Sequence, residues 1–298
     1  MAITFRKLHP SIGAEVSAVD LRHVHDREAL DTIRAGMDQY AVLVFRDQPL
    51  TDEEHTAFAQ RFDGALHSRT GLAAIGKNRF GNEALTDISN VDEEGRIRAV
   101  NDRMRMFSLA NRLWHTDASF QDPPGRYSML HAKVVPPVRA DTEFADMRAA
   151  YDALDESLKT EIENLRVHHS IAYSRQILGF ELAQQEQDQL KGAVHPLVRT
   201  NPRTQRRSLY VASHATRIVD WPIPEGRLLL KDLMAHATQS QFVYAHEWRA
   251  HDLVIWDNLA TMHRGRRFDD TRYRRELRRV TTLDLALPTS AELLLNNR

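Results

Sequence analysis

The sequence predicts a mixed α/β, strand-rich fold built as one domain over residues 1-298. Three observations lead there. Apolar runs rich in β-branched residues, such as Val42-Leu43-Val44-Phe45, read as strands. Charged amphipathic stretches such as "DREALDTIRAGMDQY" read as helices packed on those strands. No internal repeat, low-complexity tract or clear linker divides the chain.

The elements follow in order. After the first helix and the strand Val42 to Phe45 comes a proline turn, and the next helix opens with Thr51 and Glu54 in capping-box spacing. Residues 64 to 112 scatter Gly71, Gly76, Gly81 and Gly95 through polar text, which predicts mostly loop. "RYSMLHAKVVPP" reads as a strand. "DTEFADMRAAYDALDESLKTEIENL" reads as a short strand followed by a helix with Ala149, Leu154 and Leu158 on one apolar side. "GRLLLKDLMAHAT" is helical, and "FVYAHEWRAHDLVIWDNLATMH" reads as two strands around a polar turn. The block "RRELRRVTTLD" alternates Arg275, Leu277, Arg279 and Thr281 against Glu276, Arg278 and Val280, the period of a strand.

Composition narrows the chemistry. Forty Lys+Arg against 41 Asp+Glu give a net charge of -1, which argues against a nucleic-acid or membrane-surface protein driven by its overall field. With no cysteine, disulfides, thiolate metal sites and cysteine nucleophiles are excluded, so any metal must be held by His, Asp and Glu. The start lacks the apolar run of a secretory signal, and no stretch approaches the roughly 20 apolar residues of a membrane span, so a soluble, cytoplasmic protein is expected.

In "LWHTDASF", residues 113 to 120, a strand would send His115 and Asp117 to the same face, within reach of one ion. A hydrogen-bonded His–Asp pair on a strand would look the same, so the pair alone decides nothing. The second observation is His263, in "VIWDNLATMHRGRR", beyond an apolar strand and a polar turn. Two histidines and one carboxylate form the ligand set of a facial non-haem iron site with open positions. Zinc takes the same set, so the ligands do not choose the metal.

Downstream of His263 stands a cluster of Arg264, Arg266, Arg267, Arg272, Arg274, Arg275, Arg278 and Arg279. Such a run is commonly a solvated or phosphate-binding face. Strand alternation here puts Arg275 and Arg279 on one face with Leu277 between them. An inward guanidinium demands an anion, and its planar fork suits a carboxylate. Two inward arginines therefore suggest two carboxylates.

Taken together, "WHTD", "DTEF", "WDNLATMHRGRR" and "RRELRRVTT" resemble the taurine dioxygenase family of Fe(II)- and 2-oxoglutarate-dependent oxygenases. "LVFRDQPL", "DISNV", "RYSML", "HPLVRT" and "HRGRRFD" extend the likeness over nearly the whole chain, toward the branch acting on 2,4-dichlorophenoxyacetate and related aryloxyalkanoates. The resemblance implies a double-stranded β-helix, or jelly-roll, core with flanking and inserted helices. It implies that His115, Asp117 and His263 bind iron, and that Thr142 and Arg275 hold the distal carboxylate of 2-oxoglutarate. Arg279 would meet the substrate's anionic group, with His214 and Asn111 as further substrate-side candidates, while Arg274 and Arg278 point away. His67, Arg69 and Lys77 are pocket candidates from residues 67 to 80, and Trp114 and Trp256 read as packing residues. One departure is the turn before Thr142, where the family shows glycines and this chain has Arg139 and Ala140.

The implied reaction consumes O2 and 2-oxoglutarate, releases succinate and CO2, and hydroxylates the carbon beside the ether oxygen of an anionic small molecule. The unstable hemiacetal then gives a phenol and glyoxylate or another 2-oxo acid. No nucleic acid or membrane partner is expected, and family habit points to a homo-oligomer. Three rivals stand beside this reading: the same chemistry on a sulfonate or alkyl sulfate such as taurine, a zinc hydrolase on the same ligands, and a non-catalytic anion- or nucleic-acid-binding module using the C-terminal arginines.

Overall fold

The computed structural model describes residues 2–17, 19–68 and 79–285. Its N-terminal part runs β1 (Thr4–Lys7), β2 (Ala14–Ser17), α1 (Arg27–Tyr40), β3 (Val42–Phe45), α2 (Asp52–Asp63), β4 (Thr86–Ser89) and α3 (Arg103–Ser108). The middle runs β5 (Gly125–Val134), β6 (Thr142–Asp146), α4 (Met147–Asp152), α5 (Glu156–Ile162), β7 (Arg166–His169), α6 (Ile171–Gln176), α7 (Gln184–Gln189), β8 (Ala193–Pro196), β9 (Val198–Thr200), β10 (Arg207–Leu209) and β11 (Ala215–Ile218). The chain closes with α8 (Ile223–Ala237), β12 (Val243–His246), β13 (Leu253–Asp257), β14 (Thr261–Gly265) and β15 (Glu276–Leu283).

Seven strands form the main sheet, in the order β1-β2-β3-β13-β5-β15-β4, and β12-β6-β14 form a smaller one. All pairings in these sheets are antiparallel except β2 with β3. Alternation along the strands divides the core. Leu253 and Ile255 of β13 pack with Leu43 and Phe45 of β3 under Ile33 and Met37 of α1 and Phe58 and Phe62 of α2. Val254 and Trp256 turn to the opposite face, where Phe144 of β6 joins Leu130 and Leu277. The Phe144 and Trp256 rings lie 5.5 Å apart, so the smaller sheet covers the inner face of the larger. The space left between the sheets, at the ends of β6, β14 and β15, is where the proposed site residues gather.

The mixed, strand-rich prediction holds, and the capping box is present: Thr51 Oγ1 accepts from the Glu54 amide at 3.1 Å and Glu54 Oε2 from the Thr51 amide at 2.8 Å. Residues 64 to 112, where described, are mostly loop as expected, and within them lie β4, α3 and a 3-10 turn at Leu109–Arg112; β4 is an edge strand ordered by β15, a partner no local pattern shows. Three local expectations are corrected. The helix after "DTEF" breaks into α4 and α5, with Asp155 beginning the second. The stretch read as two strands holds three, β12, β13 and β14. His115 and Asp117 do not share a strand: His115 forms a single bridge to His263, and residues 117 to 120 turn, with Ala118 at φ 55°. No helix among the described residues is long and apolar enough to cross a membrane.

Candidate active site

The bridge that replaces the expected strand brings the site together. His115 donates its amide to His263 O at 3.0 Å and accepts from the His263 amide at 2.7 Å, so two residues 148 positions apart share one backbone pair. β14 fixes His263 opposite Phe144 on β6. The turn after His115 then swings Asp117 back toward both rings. One donor atom each from His115, Asp117 and His263 lies within 4.8 Å of the others, and all three residues are buried. His263 Nε2 is 3.7 Å from Asp117 Oδ2, and the two imidazole centroids are 4.2 Å apart.

A hydrogen-bond frame holds this turn. Asn258, in the link between β13 and β14, accepts through Oδ1 from the Asp117 amide and from Trp256 Nε1, both at 3.0 Å. Its Nδ2 donates to Ser128 Oγ at 2.9 Å, and Ser128 Oγ donates to Asp117 Oδ2 at 2.7 Å. Thr116 Oγ1 donates to Asn258 O at 2.8 Å. His115 Nδ1 lies 2.8 Å from Leu113 O, and since a carbonyl only accepts, that nitrogen carries the proton and Nε2 offers its lone pair. Asn258 and Ser128 were not singled out from the sequence. The asparagine directly after the apolar run "LVIWD" was the available signal.

The electrostatics suit a cation. Burial, opposed by Asp117, lowers the His115 pKa. Burial and the neighbouring His115 hold His263 well below the ordinary imidazole value. Burial pushes Asp117 up, but Arg279, His263, His115 and the Ser128 hydrogen bond together bring it below the usual carboxylate value. Two neutral imidazoles and an ionised carboxylate are the protonation states that metal binding requires. Their spacing is near what bonds of about 2.0–2.2 Å to one ion span, and no thiolate competes. The residues present therefore fit a non-haem iron(II) ion, with positions to spare for other ligands.

Two cavities flank this cluster. Both are lined by Ile88, Asn111, His115 and Arg279. One continues past Leu130, Trp256 and His263 to Thr142 and Arg275. Thr142, at the start of β6, is fixed by a 3.0 Å hydrogen bond from Trp248 Nε1. Arg275 just precedes β15, its amide on Asn90 Oδ1 at 2.8 Å, and its guanidinium has no carboxylate partner among the described residues. Burial draws its pKa down to about 10. The other cavity is lined by Asp117, Phe120, Ile171, Arg175 and His214. His214 Nδ1 is 3.0 Å from Ser174 Oγ, with its ring centroid 5.9 Å from that of His115. Burial, then Arg175, holds it well below the ordinary imidazole value and neutral.

The remaining arginines sort by partner. Arg264 and Arg266 bind Glu143 at 2.7 and 3.1 Å, Arg274 binds Glu276, and Arg278 binds Glu276 at 3.1 Å and Asp87 at 3.3 Å. Four of these arginines thus have carboxylate partners at short range. Arg279, on the alternate face of β15 from Arg278, hydrogen-bonds Asp117 Oδ1. Trp256 is fully buried with its ring 4.6 Å from that of His263, and Arg264 stacks on Trp114 at 4.6 Å. His67 packs on β15 with its amide on Thr281 O at 2.8 Å and lines neither cavity, whereas Arg69 and Lys77 lie outside the described residues.

Comparison with known proteins agrees with the whole-chain resemblance. The family model for "Taurine catabolism dioxygenase TauD, TfdA family" matches residues 4–281. The alpha-ketoglutarate-dependent 2,4-dichlorophenoxyacetate dioxygenase of Cupriavidus pinatubonensis is 44% identical over 290 residues, covering 96% of this chain and 100% of the relative. The (S)-phenoxypropionate/alpha-ketoglutarate-dioxygenase of Sphingobium herbicidovorans is 36% identical, covering 92% of each chain. Among solved structures, AAD-2 in complex with Mn(II) and N-oxalylglycine superposes with a TM-score of 0.90 at 46% identity, covering 95% of this chain and 98% of that one. On this evidence the chain belongs to the TauD/TfdA family of dioxygenases.

Proposed function

We propose that the protein is an Fe(II)- and 2-oxoglutarate-dependent dioxygenase that hydroxylates the carbon next to the ether oxygen of an aryloxyalkanoate of the 2,4-dichlorophenoxyacetate type. The observation that carries this is the buried His115, Asp117 and His263 cluster between two cavities, one ending in a guanidinium that has no carboxylate partner among the described residues. The names of the most similar relatives supply the substrate class. The core would be the family's jelly roll, and residues 1-298 one domain.

His115, Asp117 and His263 would hold the metal. Thr142 and Arg275 would take the distal carboxylate of 2-oxoglutarate: a hydroxyl and a planar guanidinium at the end of one cavity suit a carboxylate from two directions. The bound iron and 2-oxoglutarate supply, with O2, the oxidising power that places one oxygen atom in the substrate and one in succinate, with loss of CO2. The protein's own work is orientation. Arg279, at the junction of the cavities, fixes the substrate's carboxylate so that the adjacent carbon rather than the ring faces the metal. The buried walls Trp256, Phe144 and Leu130 keep water from the reacting centre. The product carries OH and OAr on one carbon, so its C–O bond breaks with proton transfer to the phenolic oxygen, leaving a 2-oxo acid and needing no hydrolytic base.

The test is succinate release by the full chain with Fe(II), 2-oxoglutarate and O2, across phenoxyacetate, both enantiomers of phenoxypropionate, and taurine. Phenoxy acids should stimulate release and yield a phenol. Stimulation by taurine alone would reject the substrate class, and turnover without 2-oxoglutarate would reject the enzyme class.

A further inference from the structure

Among the described residues five arginine side chains are buried: Arg126, Arg148, Arg175, Arg278 and Arg279. Four hold carboxylates: Arg126 on Asp257 at 3.0 Å, Arg148 on Asp146 at 2.9 Å, Arg278 on Glu276 at 3.1 Å, and Arg279 on Asp117. Arg175, on α6, has none. It is 5% exposed; Nη1 donates to Ser174 Oγ at 2.8 Å, the guanidinium stacks 4.4 Å from the Phe107 ring centroid, and Nε has no acceptor.

Its position gives the missing partner a place. Arg175 lines the cavity that also holds Asp117, His115, His214 and Arg279, and its other side lines a cleft with Leu109, Leu178, Phe180 and the exposed Glu181, with which it forms no ion pair. Asp117 is the carboxylate of that inner cavity, and it is committed to Arg279 and to the two imidazoles. His214, an imidazole held on Ser174 Oγ, brings no negative charge. Among the described residues this side of the cluster therefore carries two guanidinium groups for one carboxylate, and a buried cation without an anion is too costly for a packing role that Leu or Met would fill. Burial and Arg279, resisted by Asp117, draw the Arg175 pKa down to about 9, which leaves it charged at neutral pH and in want of a negative neighbour.

We propose that Arg175 is a second anion-binding residue of the substrate cavity, sharing with Arg279 the single carboxylate of the aryloxyalkanoate. The assignment rests on the dioxygenase reading above and deepens it. Two guanidinium groups on one carboxylate fix its rotation as well as its place, which a single contact shared with Asp117 does not. A monoanion also offsets the guanidinium charge that Asp117 leaves unanswered among the described lining residues.

The test is calorimetric binding of phenoxyacetate to the full chain loaded with Mn(II) and N-oxalylglycine, for the wild type, Arg175→Met and Arg175→Lys. Arg175→Met should weaken phenoxyacetate about 10- to 100-fold, the value of a hydrogen-bonded charge contact, and Arg175→Lys should recover part of it. The preference for phenoxyacetate over neutral phenoxyacetamide should shrink by the same factor. N-oxalylglycine affinity should stay within about twofold and the Tm of Arg175→Met should hold or rise, since a lone buried charge is replaced by a thioether of similar length. Unchanged phenoxyacetate binding in Arg175→Met overturns the proposal, as does a joint fall in Tm and N-oxalylglycine affinity, the mark of a structural arginine. A wild type that binds N-oxalylglycine but no phenoxyacetate overturns the substrate class itself, and the proposal with it.

Discussion

Arg279 donates to Oδ1 of Asp117, the carboxylate whose other oxygen lies 3.7 Å from His263 Nε2. One buried carboxylate is thereby shared between the cluster proposed to hold the metal and the strand proposed to bind substrate. Without a metal the guanidinium is the main counter-charge of Asp117; with one bound, the ion takes over that part. Arg279→Ala should accordingly destabilise the metal-free protein by about 3–5 kcal/mol, the cost of orphaning a buried charge, and Mn(II) should restore most of the loss. The KM for phenoxyacetate should rise at least about tenfold through the lost charged contact. Tm with and without Mn(II), alongside steady-state kinetics, checks this; equal destabilisation in both states would show that the pair is purely structural.

Asn258 ties four site elements together, the Asp117 amide, Trp256 Nε1, Ser128 Oγ and Thr116 Oγ1, while touching neither cavity. Asn258→Ala leaves the Asp117 amide and the indole N–H buried without acceptors, at about 1–3 kcal/mol each. The turn that aims Asp117 should loosen, so Mn(II) affinity should fall about 10- to 100-fold, the usual cost of losing a residue that orients a ligand. Metal titration followed by thermal unfolding measures both. Wild-type metal affinity in this variant would show that the turn holds its shape without the amide.

Arg275 has no carboxylate partner among the described residues, and burial alone draws its pKa down to about 10. Removing it should cost binding and not stability. Arg275→Met should raise the KM for 2-oxoglutarate about 10- to 100-fold while the KM for phenoxyacetate and the Tm stay near wild type. A rise confined to phenoxyacetate would exchange the roles of the two cavities.

How far this site could be read from the sequence depended on distance along the chain. Val42–Phe45 was legible because a strand buried on both faces reads as an unbroken β-branched apolar run, and the block 275–283 because Arg275, Leu277 and Arg279 alternate with Glu276, Arg278 and Val280 in the order a strand imposes. His115 and Asp117 were legible as a pair but not in their geometry: the i, i+2 spacing that suggests a strand face is used here in a turn, set by an asparagine some 140 residues away. The three-strand layout of 243–265 was hidden because β12 owes its identity to its pairing with β6, not to its own pattern. Arg175 shows the limit most plainly. "YSRQ" is an ordinary helical stretch, and the fact that matters, that the other four arginines with fully buried side chains find carboxylates and this one, like the half-buried Arg275, does not, depends on partners as far off as the 131 residues between Arg126 and Asp257.

Acid should unfold this protein well above the range set by its carboxylates. His55, His131 and His169 are fully buried, and burial first, then neighbouring cationic or imidazole groups, brings their pKa values to about 3, 4 and 3. In the unfolded chain each would titrate near 6.5. As pH falls the unfolded state therefore takes up protons first, so the stability these groups give is intact above about 6.5 and is lost progressively toward pH 3–4. At pH 5 the loss is about 2 kcal/mol for each, and for three together it rivals the whole stability of an ordinary domain. Tm should fall steeply between pH 6.5 and 5. Among the described residues neither ring nitrogen of His169 has a hydrogen-bond partner, and its ring packs 5.4 Å from Tyr210, so Phe fits its role. His169→Phe should match the wild type at pH 8 within about 1 kcal/mol and exceed it by about 2 kcal/mol at pH 5, having removed one of the protons taken up on unfolding. Parallel pH profiles for the two proteins would mean that His169 is protonated in the folded state, against the burial that surrounds it.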